Sequence, residues 1–279
     1  MKIRRKNIVK FADNRWTLIC LIVIYLLASS VQHASFVFQP AVFIQIACAL
    51  LLLVFNKTYN IVRHVGVLPA VFYMLLILIH PIYYTDLRGS IISLILIVCL
   101  FLFYTTYQNM HAQLAAFNIS MLICASSFYW QPVVWLTPIC WCGMYRFQSL
   151  NIRSFFAVWI GFFTVYLLIF TGLLMTDNLE YLTAYFIGFK QLIEWQPVVD
   201  FARNWMFFIW LAILIYAGFR LIFMDVSEKI RLLLFFRNLV GLGWLLLGLW
   251  FVQNQWAMEW GMLLHVPCSL LLGYFCARK

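Results

Sequence analysis

Residues 91–103 read Ile-Ile-Ser-Leu-Ile-Leu-Ile-Val-Cys-Leu-Phe-Leu-Phe, and only Ser93 among them is hydrophilic. This stretch lies in an apolar segment, residues 90–107, which approaches the ~20 residues that a helix needs to cross a bilayer. Similar segments recur along the whole chain of 279 residues, which is 66% hydrophobic and 10% charged. An ordinary soluble domain is about 45–50% apolar and about 25% charged. The composition therefore excludes a soluble enzyme, a disordered protein and a disulfide-stapled secreted domain.

Ten apolar segments predict an all-α, polytopic transmembrane bundle. Helices are expected because backbone groups in lipid must be hydrogen bonded within the protein, and no alternating pattern of a membrane barrel is present. The predicted spans are residues 16–31, 36–55, 68–84, 90–107, 114–128, 132–145, 155–174, 205–224, 232–252 and 258–276. The first and sixth are short. The first also fits a cleavable signal peptide, but we favour an uncleaved span because nothing downstream resembles a soluble secreted domain.

The distribution of basic residues predicts the orientation. Lys and Arg number 19 against nine Asp and Glu, a net charge of +10. With the amino terminus inside, sixteen of the basic residues fall on the inner side, and only Arg88, Lys190 and Arg203 fall outside. This positive-inside bias predicts that both termini are cytoplasmic, with residues 1–15 forming a basic cytoplasmic tail. No nucleic-acid-binding motif accompanies the charge, so nucleic acid is not expected as a partner.

The connection of residues 175–204 is long and is expected outside. Its apolar residues recur every three or four positions, which predicts an amphipathic helix on the outer leaflet or over the bundle. These residues are Leu179, Leu182, Tyr185, Phe186, Phe189, Leu192 and Ile193. The helix could form a lid or a docking surface, or it could simply connect two spans. The whole chain, residues 1–279, is expected to form one integral membrane domain.

Ionisable residues near or within the spans are the candidates for function, since charge is costly there. At the outer rim the catalytic candidates are His80, Asp86, Arg88 and Arg203. A carboxylate and an imidazole can perform acid–base chemistry, and arginine can hold a phosphate or carboxylate. The binding candidates are Glu259, His265, Glu194 and Asp200. Solvation of loops, and a structural role for His265 near Pro267, are the alternative explanations.

Familiar catalytic motifs are missing from the sequence. It contains no H-E-x-x-H, Walker loop, G-x-S-x-G or haem-binding C-x-x-C-H, and no span carries an acidic pair at metal-ligand spacing. We therefore expect neither a metal site nor a cofactor.

Short motifs in the middle half of the chain carry a resemblance. They are Asn56-Lys57-Thr58-Tyr59-Asn60, the stretch 67–73, Phe117-Asn118, Phe128-Tyr129-Trp130-Gln131-Pro132, Arg146-Phe147, Arg153 and Gly161. Together they resemble an uncharacterised multi-pass family of Bacteroidota inner membranes, which implies a location in the inner membrane of a bacterium with an outer membrane. The many spans and the outer loop are also similar to those of glycosyltransferases and polymerases that use polyprenyl-linked sugars. Many of these carry an acidic residue in the first outer loop, whereas residues 31–39 here contain none.

Three functions remain open on the sequence. The leading hypothesis is a non-catalytic accessory or scaffold component of cell-envelope assembly, with the bilayer and other envelope membrane proteins as partners. The alternative is a metal-independent transferase or polymerase acting on a polyprenyl-linked substrate at the extracytoplasmic face, with Arg88 and Arg203 as anion holders. A third is a carrier of small molecules or lipids, with Glu259 and His265 along its path.

The orientation is testable by accessibility labelling of single cysteines in a background without the native ones. We expect cysteines at Lys57 and Arg153 to react only after the membrane is permeabilised, and a cysteine at Arg88 to react in intact cells. Labelling of the Lys57 or Arg153 position from outside would contradict the predicted topology.

Overall fold

The computed structural model describes residues 15–32, 39–62, 66–177, 180–189, 205–222 and 230–277. Throughout these residues the regular structure is helical and contains no strands, which confirms the predicted all-α class. The helices are α1 Arg15–Gln32, α2 Pro40–Tyr59, α3 Leu68–Ile79, α4 Leu87–Thr105, α5 Gln113–Tyr129, α6 Thr137–Arg146, α7 Ile152–Met175, α8 Glu180–Gly188, α9 Met206–Ile222, α10 Ile230–Val252 and α11 Ala257–Ala277. Three 3₁₀ turns, Pro81–Thr85, Gln131–Leu136 and Asn254–Trp256, precede α4, α6 and α11.

Five helical segments are long and apolar enough to cross a membrane, which fits a membrane protein. They are α2, α4, α7, α10 and the segment Asn254–Ala277 that contains α11. Four shorter apolar helices, α1, α3, α5 and α9, coincide with other predicted spans. Helix α3 has 12 residues, so at about 1.5 Å per residue it is shorter than the ~30 Å hydrocarbon layer. The count of ten spans and the orientation of the termini stay predictions.

The third predicted span, residues 68–84, is longer than the helix that forms there. Helix α3 ends at Ile79, and the chain continues through His80 into the 3₁₀ turn Pro81–Thr85. Proline lacks an N–H and disfavours α-helical backbone at the preceding residue, so Pro81 ends the helix although the apolar character continues. The early end brings Asp86 to the start of α4.

The sixth predicted span, residues 132–145, is divided between a 3₁₀ turn and helix α6. Pro138 lies inside this predicted span, where a proline would be expected to interrupt a helix. The structure places Pro138 in the first turn of α6, where a missing N–H breaks no hydrogen bond of the helix. Pro138 therefore begins a helix of ten residues.

The chain divides into two compact units, which we call unit 1 (residues 1–97 and 198–279) and unit 2 (residues 98–197). In unit 1, α11 packs against α3, α9 and α10. Its side chains from Trp260 to Phe275 are nearly all buried. A Cβ on Gly273 would lie 3.0 Å from Pro69, so α3 and α11 meet closely there. The buried side chains of α11 lie on all sides of the helix, as is typical of a helix in the interior of a bundle.

In unit 2, helices α5 and α7 form the main packing pair. They meet at Gly161, where a Cβ would lie 2.7 Å from the backbone oxygen of Phe117 and would overlap the Ser120 hydroxyl. Only 17% of the apolar stretch of α7 is buried. The exposed side chains of α7, which include Phe163 and Leu167, form what we call its open face. An open apolar face on a helix of spanning length is expected to contact lipid.

A helix forms in the connection 175–204, where an amphipathic helix was predicted: it is α8, Glu180–Gly188. Tyr185 is buried, and its hydroxyl lies 2.9 Å from the Ser127 hydroxyl and 3.2 Å from the Tyr166 hydroxyl. Phe186, predicted on the same apolar face, is half exposed. Leu179, Leu192 and Ile193 lie outside the described residues.

Two glycines of α7 provide a matched test of the packing in unit 2. Gly161→Ala should lower the free energy of unfolding by about 1–3 kcal/mol, because the added methyl overlaps α5. Gly172→Ala places its methyl where nothing lies within 4 Å, so it should leave stability unchanged or raise it by up to about 1 kcal/mol. Thermal unfolding of both variants in lipid nanodiscs measures the difference, and equal shifts would contradict this packing.

Candidate functional site

The Asp86 side chain caps the first turn of α4. The Gly89 N–H donates a hydrogen bond to Asp86 Oδ1 at 2.9 Å, a typical interaction of an aspartate that precedes a helix. A Cβ on Gly89 would collide with the Asp86 carboxylate and would lie 2.8 Å from Met262 Cβ. Glycine at position 89 therefore allows the carboxylate to lie between the start of α4 and helix α11.

The second oxygen of this carboxylate has no partner. Asp86 is only 8% exposed, and Oδ2 makes no hydrogen bond within the described residues. Burial raises the pKa of the Asp86 carboxyl, because the charged form loses its hydration. The Gly89 N–H and the Arg88 guanidinium and amide oppose this change without cancelling it. The cap accounts for one oxygen and leaves the other, which is buried, without a hydrogen-bond partner.

Two further charged groups lie near Asp86. The Glu259 carboxylate, in the first turn of α11, is within electrostatic range of both Asp86 and Arg88. Glu259 is half-buried and Arg88 is exposed. Met262, one turn beyond Glu259, is the residue that lies against Gly89. We call Asp86, Arg88 and Glu259 the Asp86 cluster; it combines two carboxylates with one guanidinium at the meeting point of α4 and α11.

A group of rings surrounds Tyr83, in the turn that precedes Asp86. The ring centroid of His265 lies 4.9 Å from that of Tyr83 and 5.6 Å from that of Trp210. His80 lies 5.3 Å from Tyr83 and 5.6 Å from Trp205. The ring group therefore joins the end of α3 to α11 and the beginning of α9.

A buried amide, Gln45, ties the same turn to α1, α2 and α4. Tyr25 donates its hydroxyl hydrogen to Gln45 Oε1, and Gln45 Nε2 donates to the Tyr83 backbone oxygen at 2.7 Å and to the Ser90 hydroxyl at 2.9 Å. The Ser90 hydroxyl in turn donates to the Asp86 backbone oxygen. This network holds the backbone on both sides of Asp86 in place.

The structure brings together residues that the sequence had divided between different hypotheses. His80, Asp86 and Arg88 were catalytic candidates, whereas Glu259 and His265 were binding candidates. In the structure both histidine rings lie near the Tyr83 ring. Glu259 is within electrostatic range of Asp86 and Arg88, so all five residues belong to one region of unit 1. Tyr83, Ser90 and Gly89 were not recognised as part of a site. A signal for Ser90 was present, since it lies one helical turn after Asp86.

Three other candidates, Arg203, Glu194 and Asp200, lie outside the described residues. Among the residues that are described, no group of three or more His, Cys, Asp or Glu side chains could hold a metal ion.

The substitutions Asp86→Asn and Asp86→Ala distinguish the effect of the capping hydrogen bond on stability from the effect of the carboxylate charge. Asn can keep the bond from Gly89, whereas Ala loses it, and the loss should lower the free energy of unfolding by about 1 kcal/mol. Because the folded pKa of Asp86 is raised, the protonated carboxyl favours the folded state. This stabilisation is complete below the ordinary aspartate pKa and is lost as the pH rises through the folded value.

Wild-type protein should therefore gain stability relative to Asp86→Asn as the pH is lowered through that window. Thermal unfolding in nanodiscs at a series of pH values measures the difference. A wild-type advantage that grows with rising pH would contradict the described burial.

Comparison with known proteins gives no relative: no protein-family model, no curated protein and no solved structure matches this chain. The function is therefore inferred from the chemistry of the Asp86 cluster and its surroundings.

Proposed function

We propose that the chain is a multi-pass membrane enzyme that transfers a group from a lipid-linked, polyprenyl-type donor to a hydroxyl acceptor. The observation that carries the proposal is the buried Asp86 carboxylate, one oxygen of which has no hydrogen-bond partner and which is within electrostatic range of Glu259 and of the exposed Arg88. The positive-inside distribution of basic residues favours the extracytoplasmic face of a bacterial inner membrane for this chemistry.

Each member of the cluster has a chemical role in such a transfer. Asp86 accepts the proton of the acceptor hydroxyl through Oδ2 while the hydroxyl oxygen bonds to the transferred group. A raised pKa makes the Asp86 carboxylate a stronger base. The bond from the transferred group to the lipid diphosphate breaks, and the departing anion is stabilised by the Arg88 guanidinium, whose planar donors match phosphate oxygens. Glu259 orients Arg88 by charge.

The Asp86 cluster favours an enzyme over the accessory or scaffold hypothesis. Burying a carboxylate oxygen without a hydrogen-bond partner is unfavourable. A protein that acts only through helix packing has no need of such a group, because asparagine would cap α4 equally well. One observation is compatible with the carrier hypothesis: His265, a residue proposed to lie along a transport path, is completely buried among the helices of unit 1.

Binding of the donor is the first test. Purified protein in lipid nanodiscs is titrated with undecaprenyl diphosphate and examined by native mass spectrometry. Arg88→Ala should weaken binding at least tenfold, because it removes the charge that holds the diphosphate. Arg153→Ala, which removes another exposed arginine, at the start of α7, is the matched control and should bind as wild type does.

Catalysis is tested in cells that depend on the gene. Asp86→Asn should fold, retain the bound lipid and fail to complement a deletion strain, with the lipid-linked donor accumulating in extracted membranes. Complementation by Asp86→Asn together with unchanged binding by Arg88→Ala would refute the enzyme and support the accessory hypothesis. Loss of solute uptake in Glu259→Gln, with both other variants normal, would support a carrier.

A further inference from the structure

Unit 2 contains an apolar groove that the Asp86 cluster does not explain. Its volume is about 520 Å³, within the ~300–1,000 Å³ of typical ligand pockets. The side chains that define it come from the 3₁₀ turn before α6, from α6 and α7, and from the residue after α8. The principal ones are Val134, Trp141, Trp159, Phe163, Tyr166 and Phe189.

The surface of this groove is almost wholly apolar. Thr137 and Trp141 belong to its wall, but the Thr137 hydroxyl and the Trp141 indole nitrogen are buried within that wall. The Tyr166 hydroxyl is engaged with the Tyr185 hydroxyl at 3.2 Å. The groove therefore offers contact area rather than hydrogen bonds, which suits a hydrocarbon chain and not a polar headgroup.

The groove is continuous with the open face of α7. Phe163 is 68% exposed and lines the groove, and Leu167, one turn further along α7, is 63% exposed. Helix α7 is one of the segments long and apolar enough to span a membrane. Acyl chains of the bilayer that cover the open face of α7 can enter the groove along apolar side chains. We therefore expect the ligand of the groove to come from the bilayer.

Helix α8 lies beside the groove, because the residue that follows it, Phe189, is part of the lining. The Phe189 ring lies 5.2 Å from the Tyr185 ring, centroid to centroid. The Gln131 amide donates to the Tyr185 backbone oxygen at 2.9 Å. A Cβ on Gly188 would collide with the same Gln131 amide, so glycine at this position permits the close approach. These contacts hold α8 in place next to the groove.

We propose that unit 2 binds one acyl chain of a bilayer phospholipid in this groove. The site is independent of the proposed enzymatic function, because every residue that forms it belongs to unit 2 and the Asp86 cluster belongs to unit 1.

Photolabelling tests the site directly. The purified protein is reconstituted in phosphatidylethanolamine and phosphatidylglycerol vesicles that contain a small fraction of phosphatidylcholine with a diazirine at the end of one acyl chain. After irradiation, mass spectrometry locates the labelled residues. Labels should concentrate on groove residues such as Val134 and Tyr166, at least fivefold above those on Leu167 of the open face.

Two substitutions discriminate a specific chain from general contact with lipid. Val134→Trp fills the groove and should reduce its labelling at least fivefold, whereas Leu167→Trp adds the same side chain to the open face and should leave groove labelling unchanged. Both variants are checked for unfolding temperature, and Val134→Phe replaces Val134→Trp if the larger residue impairs folding. Uniform labelling along α7, or groove labelling insensitive to the filling substitution, would overturn the proposal. So would a crosslink from the groove to the chain's own residues 190–204.

Discussion

Polar groups within a membrane protein must find hydrogen-bond partners inside the protein, because hydrocarbon supplies none. This constraint explains why the described residues are largely helical and why some buried polar side chains are joined to one another by hydrogen bonds. Gln45 uses both ends of its amide to join α1, α2, α4 and the turn after α3. Tyr185 joins α8 to α5 and α7 through hydroxyl contacts. In each unit a single polar side chain holds several helices together.

Several buried polar atoms of the described residues lack a partner, and Asp86 Oδ2 is the carboxylate oxygen among them, which gives it functional interest. One oxygen of Asp86 is satisfied by the first turn of α4, and the other is buried without a partner. The surrounding structure holds it there through Gly89, which leaves space for the carboxylate, and through the Gln45 network on both sides. Unsatisfied, positioned groups of this kind are more common at functional sites than in ordinary helix packing.

The two proposals use opposite kinds of chemistry. The Asp86 cluster of unit 1 offers charge and a proton acceptor, whereas the groove of unit 2 offers apolar area and hides its own polar atoms. A lipid-linked substrate requires recognition of a charged headgroup, and a bound acyl chain requires only shape and hydrocarbon contact. Each proposal can therefore fail without affecting the other.

The sequence alone was enough to predict that the protein lies in a lipid bilayer and that it is helical, because both follow from local composition and from the length of the apolar segments. The ends of the helices were harder to predict from the sequence, because Pro81 and Pro138 set helix boundaries inside segments whose hydropathy does not change. The sequence also identified Asp86, Arg88, Glu259 and His265 as unusual, but it separated them into rival hypotheses. Only the tertiary structure decided that they form one region, because α4 and α11 are distant in the chain and meet where Gly89 lies against Met262.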